Sequence, residues 1–198
     1  GEILLKLDNP PINALILYGA NPMASNPKQH MIRQGLSRED LFTVVIENFP
    51  TDTVDYADIV LPSTMQTEHA DIYNAFGHMY IQWNEPAVEP AGECLPHSEI
   101  FRRLARVMGL DEPSLYDTDD ELARAVLDSE DPVLRGISLE KLKEFGWMRL
   151  NLPQPYLPFA DGFPTDSGKM EFFSETAIDQ GLDPIPGFTW PTETTDRD

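Results

Sequence analysis

Five residues have the type and position to meet a polar ligand: Gly19, Asn21, Glu47, His69 and His97. Gly19-Ala20-Asn21-Pro22 follows the apolar run Ala14–Tyr18. A glycine after a buried strand lets backbone approach a ligand closely, and exposed N–H groups ahead of a helix suit a phosphate or pyrophosphate. The Asn21 amide can donate and accept at once. The bland alternative is a tight strand-to-helix turn without a ligand, since the residues form neither a GxGxxG fingerprint nor a Walker A loop. Glu47 stands directly after Thr43–Ile46. A carboxylate there can accept from a ribose diol or from guanine ring N–H groups. It can equally cap a helical turn near Thr51. Glu68-His69 lies just past Pro62-Ser63-Thr64, where side chains either enter a crevice or belong to a solvated loop. His97 can donate to a ligand or merely precede a helix. Asp58 caps or braces the strand that follows it. Neither a Ser/His/Asp arrangement nor an isolated carboxylate pair is apparent.

The elements that must position these groups read as a parallel α/β sheet. Ile3 to Pro11 is a helix tail or extended arm halted by two prolines. Strands are expected at 14–18, 43–46 and 59–61, each ending in a polar or glycine-containing turn. A helix is expected from near Ser25-Asn26-Pro27, with Pro at the first position, to a terminator at Gly35. Strand, helix, strand with short turns is the βαβ rhythm, whose ligand edge lies past the strand ends. Met79–Trp83 reads as an edge or antiparallel strand. An amphipathic helix then runs from about Ser98 to Met108, with Ile100, Phe101, Leu104, Ala105 and Met108 at helical spacing and Gly109 closing it. Thr118-Asp119-Asp120-Glu121 is a capping-box signature for a helix through about Leu127, and Ser138–Phe145 makes another before Gly146. From Leu152 the prolines at 153, 155, 158, 164, 184, 186 and 191 leave no room for long regular elements. The expected division is a Rossmann-like α/β cofactor-binding domain over 1–150 and a Pro/Gly-rich extension over 151–198.

Composition narrows the partners. An apolar fraction of 41% over 198 residues supports a core. No apolar run approaches the roughly 20 residues of a membrane span, and no signal-peptide pattern opens the chain. A formal charge of −20, with 14 Lys and Arg among 34 carboxylates, argues against a nucleic-acid partner. Cys94 is the only cysteine, which excludes an internal disulfide and a cysteine-rich iron–sulfur or zinc site within these residues. The four histidines show no metal-ligand spacing.

Taken together and in order, the segments resemble the molybdenum/tungsten-bis(pterin guanine dinucleotide) oxidoreductases of the dimethyl-sulfoxide-reductase family. The matching wording is Gly19-Ala20-Asn21-Pro22, Val44-Val45-Ile46-Glu47 with Thr51-Asp52-Thr53, and Tyr56-Ala57-Asp58-Ile59-Val60-Leu61-Pro62. Glu68, Gly77-His78, Pro90-Ala91-Gly92-Glu93 and Phe101-Arg102-Arg103-Leu104-Ala105 continue it, and Phe163-Pro164-Thr165-Asp166-Ser167-Gly168-Lys169-Met170-Glu171-Phe172 resembles the hairpin that precedes the family's C-terminal domain. The resemblance implies part of a Rossmann-like α/β domain that binds a molybdopterin guanine dinucleotide. Gly19 and Asn21 would touch its phosphate or pterin side, and Ile46 and Glu47 its guanine and ribose. His69 stands where many members carry Lys or another polar contact, and His97 where many carry an Asp that reads guanine. The metal ligand and a [4Fe-4S] motif are expected upstream and a barrel domain downstream, so these residues alone are expected to be inactive. Implied partners are the remaining domains and an iron–sulfur electron-transfer subunit. The expected compartment is cytoplasmic, with twin-arginine export the alternative. A pterin-free structural domain of the same descent, as in the large peripheral subunit of respiratory NADH dehydrogenase, is the rival reading.

Overall fold

The computed structural model describes residues 1–188, which leaves Pro191 outside the described residues. The chain divides into two units that meet in sequence at Asn151 and Leu152. The first begins with α1 (Glu2–Lys6), β1 (Ala14–Tyr18), α2 (Pro22–Ser25), α3 (Gln29–Leu36), β2 (Phe42–Glu47) and β3 (Ile59–Pro62). β1, β2 and β3 form a parallel sheet in that order, with Tyr18 opposite Ile46 and Glu47 opposite Pro62. The three C-terminal ends therefore lie side by side, which is where an open α/β sheet presents its ligand crevice. Asp58 braces this sheet, its Oδ2 accepting the Thr43 N–H at 2.7 Å.

The helical crossover differs from the expected one. Pro22, not Pro27, occupies a first helical position, and a left-handed Lys28 (φ 56°) separates α2 from α3. Gly35 lies inside α3 rather than terminating it. A Cβ on Gly35 would stand 2.8 Å from the Leu4 Cβ, so the glycine is needed where α1 crosses α3. Met23, Ile32, Leu36 and Leu41 form the core here, with Leu15 and Leu17 of β1 packed against it. On the opposite face Ile16 and Tyr18 are about half exposed.

A second sheet, antiparallel and unforeseen in full, follows. β4 (Asp71–Asn74), β5 (Tyr80–Asn84) and β6 (Trp147–Arg149) pair in that order, which makes β5 the central strand rather than an edge. Three and four residues are too few for β6 and β4 to show a strong alternation by sequence alone. α4 (His97–Met108) ends at a left-handed Gly109, and α5 (Asp119–Leu127) opens on a reciprocal capping box between Thr118 and Glu121. α6 (Leu139–Phe145) is capped by Ser138 and closed by Gly146. α5, α6 and β5 bury a second core of Ile81, Trp83, Ala123, Leu127, Ile137, Leu139 and Leu142.

Among the described residues the second unit contains one short helix, α7 (Glu175–Asp179). The segment resembling a late hairpin is a turn without paired strands: the Gly168 N–H donates to Thr165 O and the Phe163 N–H to Gly168 O. Among the described residues no helix is long and apolar enough to cross a membrane.

Candidate functional site

The site is built at the ends of β1, β2 and β3 and at the start of α4. Gly19 ends β1 with φ +56°, in the left-handed region, and a side chain there would meet no atom within 4 Å. Its N–H donates to Ile46 O at 3.1 Å. The amides that remain for a ligand are thus those of Ala20 and Asn21.

Asn21 joins two loops. Its carbonyl receives the Ser25 N–H and Ser25 hydroxyl, each at 2.9 Å. Its Oδ1 accepts from the buried Thr53 hydroxyl at 2.7 Å, and Thr53 Oγ1 accepts the Met23 N–H at 3.2 Å. The side-chain carbonyl is therefore spent on structure, and the Nδ2 group, 3.5 Å from Asp52 Oδ2, is what can turn to a ligand. Ile46 is 1% exposed. Its side chain belongs to the core, and its role at the edge is the carbonyl that fixes Gly19.

Glu47 caps no helical turn. One carboxylate oxygen accepts the neighbouring Asn48 N–H at 2.8 Å, which leaves the other oxygen for an incoming donor. Asn48, which the sequence reading passed over, holds the next loop: its Nδ2 donates to Ser63 O at 3.2 Å and Thr64 O at 2.7 Å. Leu95 then pairs beside β3, its N–H donating to Pro62 O and its carbonyl accepting from Thr64 N–H. That pairing delivers His97 to the same edge.

Glu68 is a clamp within its loop, accepting the Met65 and Ala91 N–H groups. His69 is held by the Thr64 hydroxyl, 2.9 Å from Nδ1, and its Nε2 lies 3.9 Å from Asp71 Oδ2. With Thr64 donating, the ring proton sits on Nε2 and faces the carboxylate. His97 stacks edge-to-face on Tyr18, ring centroids 4.5 Å apart. Its Nε2 is buried and has no hydrogen-bond partner. Burial pushes the His97 pKa below the ordinary 6.5, His69 acts in the same direction, and Glu47 and Asp71 oppose it. The same interactions show that Glu47, His69, Asp71 and His97 share one electrostatic neighbourhood. Gly19 and Asn21 lie on the β1–β2 side of it.

Two further buried hydroxyls lack partners here, Thr51 Oγ1 and Ser63 Oγ. A buried polar group left unsatisfied costs about 1–3 kcal/mol. A fourth, Thr43 Oγ1, lies at the other end of β2, whereas Thr51, Ser63 and His97 belong to the C-terminal edge, where a hydrogen-bonding ligand would fit. Thr51 and Ser63 sit within the segments singled out above, yet nothing in their sequence says that their partners are missing. That depends on which way each loop turns.

Because the folded state disfavours imidazolium at His97, its contribution to stability is complete above the ordinary pKa near 6.5 and declines as pH falls below it. Thermal melts at pH 7.5 and 5.5 should show a larger acid loss in the unaltered chain than in His97→Gln. Equal losses would assign the pH sensitivity elsewhere.

Comparison with known proteins identifies relatives. The profile of the molybdopterin oxidoreductase family matches residues 4–107, just over half of the chain. The "Probable oxidoreductase YoaE" of Bacillus subtilis (strain 168) is 42% identical over 190 residues, covering 96% of this chain and 28% of that protein. Acetylene hydratase of Syntrophotalea acetylenica is 30% identical, over 93% of this chain and 24% of its own length. The solved acetylene hydratase from Pelobacter acetylenicus superposes with a TM-score of 0.72 at 26% identity, covering 98% of this chain and 26% of that one. The chain thus spans about a quarter of the length of these relatives.

Proposed function

Because the chain belongs to the molybdopterin oxidoreductase family, we propose that the C-terminal edge of its parallel sheet holds the guanine dinucleotide end of a molybdopterin cofactor carrying Mo or W. The observation that supports this most is the set of buried, unpartnered donors and acceptors, Thr51 Oγ1, Ser63 Oγ and His97 Nε2, around the Gly19 turn and Glu47. They fit a ligand rich in hydrogen-bonding groups. The Ala20 and Asn21 amides, in an open left-handed turn, suit its phosphates. The second oxygen of Glu47 accepts from ring or ribose donors, and His69 and His97 contribute one ring nitrogen each.

When bound, the cofactor supplies the metal and the electron transfer of a two-electron reaction. The residues of this chain bind and orient it. The Asn21–Thr53–Met23 chain of hydrogen bonds fixes the distance between the two phosphate-side loops, and Asn48 fixes the base-side loops. In the whole protein we assign the metal ligand, a [4Fe-4S] cluster, contact with an iron–sulfur electron-transfer subunit and a cytoplasmic setting to this same reading. The reaction class is a formate-dehydrogenase or nitrate-, thiosulfate- or polysulfide-reductase type of redox step.

Guanosine diphosphate serves as the probe. It is expected to slow hydrogen exchange at the amides of Ala20, Asn21 and Asn48, and Glu47→Gln should weaken it about 10-fold or more, the worth of a hydrogen bond to a charged acceptor. If the amides stay unprotected at millimolar nucleotide while the fold is intact, the pterin-free structural domain replaces this reading.

A further inference from the structure

Two buried hydroxyls follow β3, and they do different work. Ser63 and Thr64 are 2% and 1% exposed. The Ser63 hydroxyl has no partner, whereas Thr64 Oγ1 lies 2.9 Å from Nδ1 of His69. The Thr64 backbone is tied on two sides: its N–H donates to Leu95 O at 3.1 Å, and its carbonyl accepts from Asn48 Nδ2 at 2.7 Å. The hydroxyl is therefore presented at a fixed place between the end of β2 and the segment that leads into α4. His69 is anchored as well. Its carbonyl accepts from Nδ2 of Asn84, in β5, at 2.9 Å, and the same amide donates to Gln66 O at 2.7 Å.

Two arguments fix where the proton of the neutral His69 ring resides. A buried hydroxyl needs an acceptor for its own proton, and among the described residues Thr64 Oγ1 pairs with His69 Nδ1 alone. The Asp71 carboxylate, 3.9 Å from Nε2, favours an N–H over a lone pair at that nitrogen. Nδ1 is thus the acceptor and Nε2 the donor. Asp71 does not consume this donor, because an N–H···O bond closes at about 2.7–3.2 Å. His69 lines a cavity of about 630 Å³ together with Tyr18 and His97, which leaves room for a ligand to receive the bond.

We infer that Thr64 is a positioning residue of the ligand site: by occupying Nδ1 it makes His69 a hydrogen-bond donor through Nε2, offered to a neutral acceptor on the base of the nucleotide. Glu47 supplies an acceptor at the same edge and His69 the donor. A base that carries N–H groups beside a carbonyl requires those two polarities together. The identity of the ligand rests on the dinucleotide reading above, whereas the polarity of the ring does not.

The test has two arms. Long-range proton–nitrogen correlation NMR of the isotope-labelled, unaltered chain at pH 8 should place the His69 ring proton on Nε2; a proton on Nδ1 overturns the inference, whatever the nucleotide does. In the second arm guanosine diphosphate is titrated into Thr64→Val, Thr64→Ser, His69→Ala and the Thr64→Val/His69→Ala double variant. Thr64→Val should weaken binding about three- to tenfold, the worth of one neutral hydrogen bond, and Thr64→Ser should restore it. In the His69→Ala background Thr64→Val should have no further effect, because Thr64 acts through His69. An equal loss in both backgrounds would mean a merely structural role for Thr64 and overturns the inference, as does full binding by Thr64→Val. A proton on Nε2 with no nucleotide binding to the unaltered chain refutes the dinucleotide reading and with it the assigned acceptor; a proton on Nδ1 with tight binding refutes the role of Thr64 alone.

Discussion

Leu142→Ala is expected to lower stability by about 3–5 kcal/mol, the upper part of the range for buried leucines. Leu142 is 0% exposed and sits in α6 at the centre of the core shared with β5 and α5. The shortened side chain leaves a cavity that the flanking Leu139, Ile137 and Trp83 can close only by moving strands. For a domain of this size about 1 kcal/mol lowers the melting temperature by roughly 2–4 °C, so a fall on the order of 10 °C is expected. The change should be larger in Trp83 fluorescence and in β5 amide exchange than in the amides of Val45 and Ile46, because those belong to the parallel sheet. A melting temperature within about 2 °C of the unaltered chain would show that this core contributes little. Leu142→Met, which keeps the volume, should cost less than about 1.5 kcal/mol.

Arg102→Ala is the second large effect, and it acts through charge. The guanidinium, 13% exposed, donates to the Glu99 and Asp119 carboxylates at 3.0 Å, to Asp117 O at 2.7 Å and to Ser98 Oγ at 3.4 Å. It therefore ties the first turn of α4 to the first turn of α5, and Ser98 is the neighbour of His97. Removing one partner of a buried pair leaves the others without compensation, at a cost of about 3–5 kcal/mol when burial is complete. Glu99 and Asp119 are 26% and 36% exposed, which scales the expected loss to roughly 2–3 kcal/mol. Arg102→Lys should recover only part of it, since an ammonium cannot span the fork. Hydrogen bonds from Arg103 and Arg102 hold the Glu99 carboxyl below its ordinary 4.5. Its contribution is therefore present above that pH and lost as pH falls through the lowered value. The acid-induced difference between Arg102→Ala and the unaltered chain should shrink below about pH 4.5. A constant difference down to pH 3 would refute the charge account.

Much of the frame was legible in the residues. Apolar runs with polar turns gave β1, β2 and β3, because a buried strand must be apolar and its exit must be polar. Thr118 with Glu121, Gly109 and Gly146 marked helix ends, because capping and left-handed termination each demand particular side chains. The family followed from the order of motifs, and the profile match bears it out. Gly35 misled, because a glycine looks the same in a terminator and in a helix crossing. Only its distance to Leu4 separates the two. The antiparallel sheet was half hidden, because its outer strands are too short for a period to emerge.

The site divides along the same line. Glu47, His69 and His97 could each be named from the chain, and Gly19 and Asn21 from their turn. What each does was decided by the tertiary structure. Asn21 spends its carbonyl on Thr53, Ile46 its side chain on the core, and His97 keeps an unpartnered nitrogen beside Tyr18. Sequence by itself determined the family, the strands of the parallel sheet and the chemical types at their ends, because these depend on local pattern and residue identity. Which of those groups are free to meet a ligand depends on hydrogen bonds closed between residues 15 to 32 positions apart. Only the packed chain brings such partners within hydrogen-bond distance, 2.7 to 3.2 Å for Asn21, Met23 and Thr53 and for Asn48 with Ser63 and Thr64.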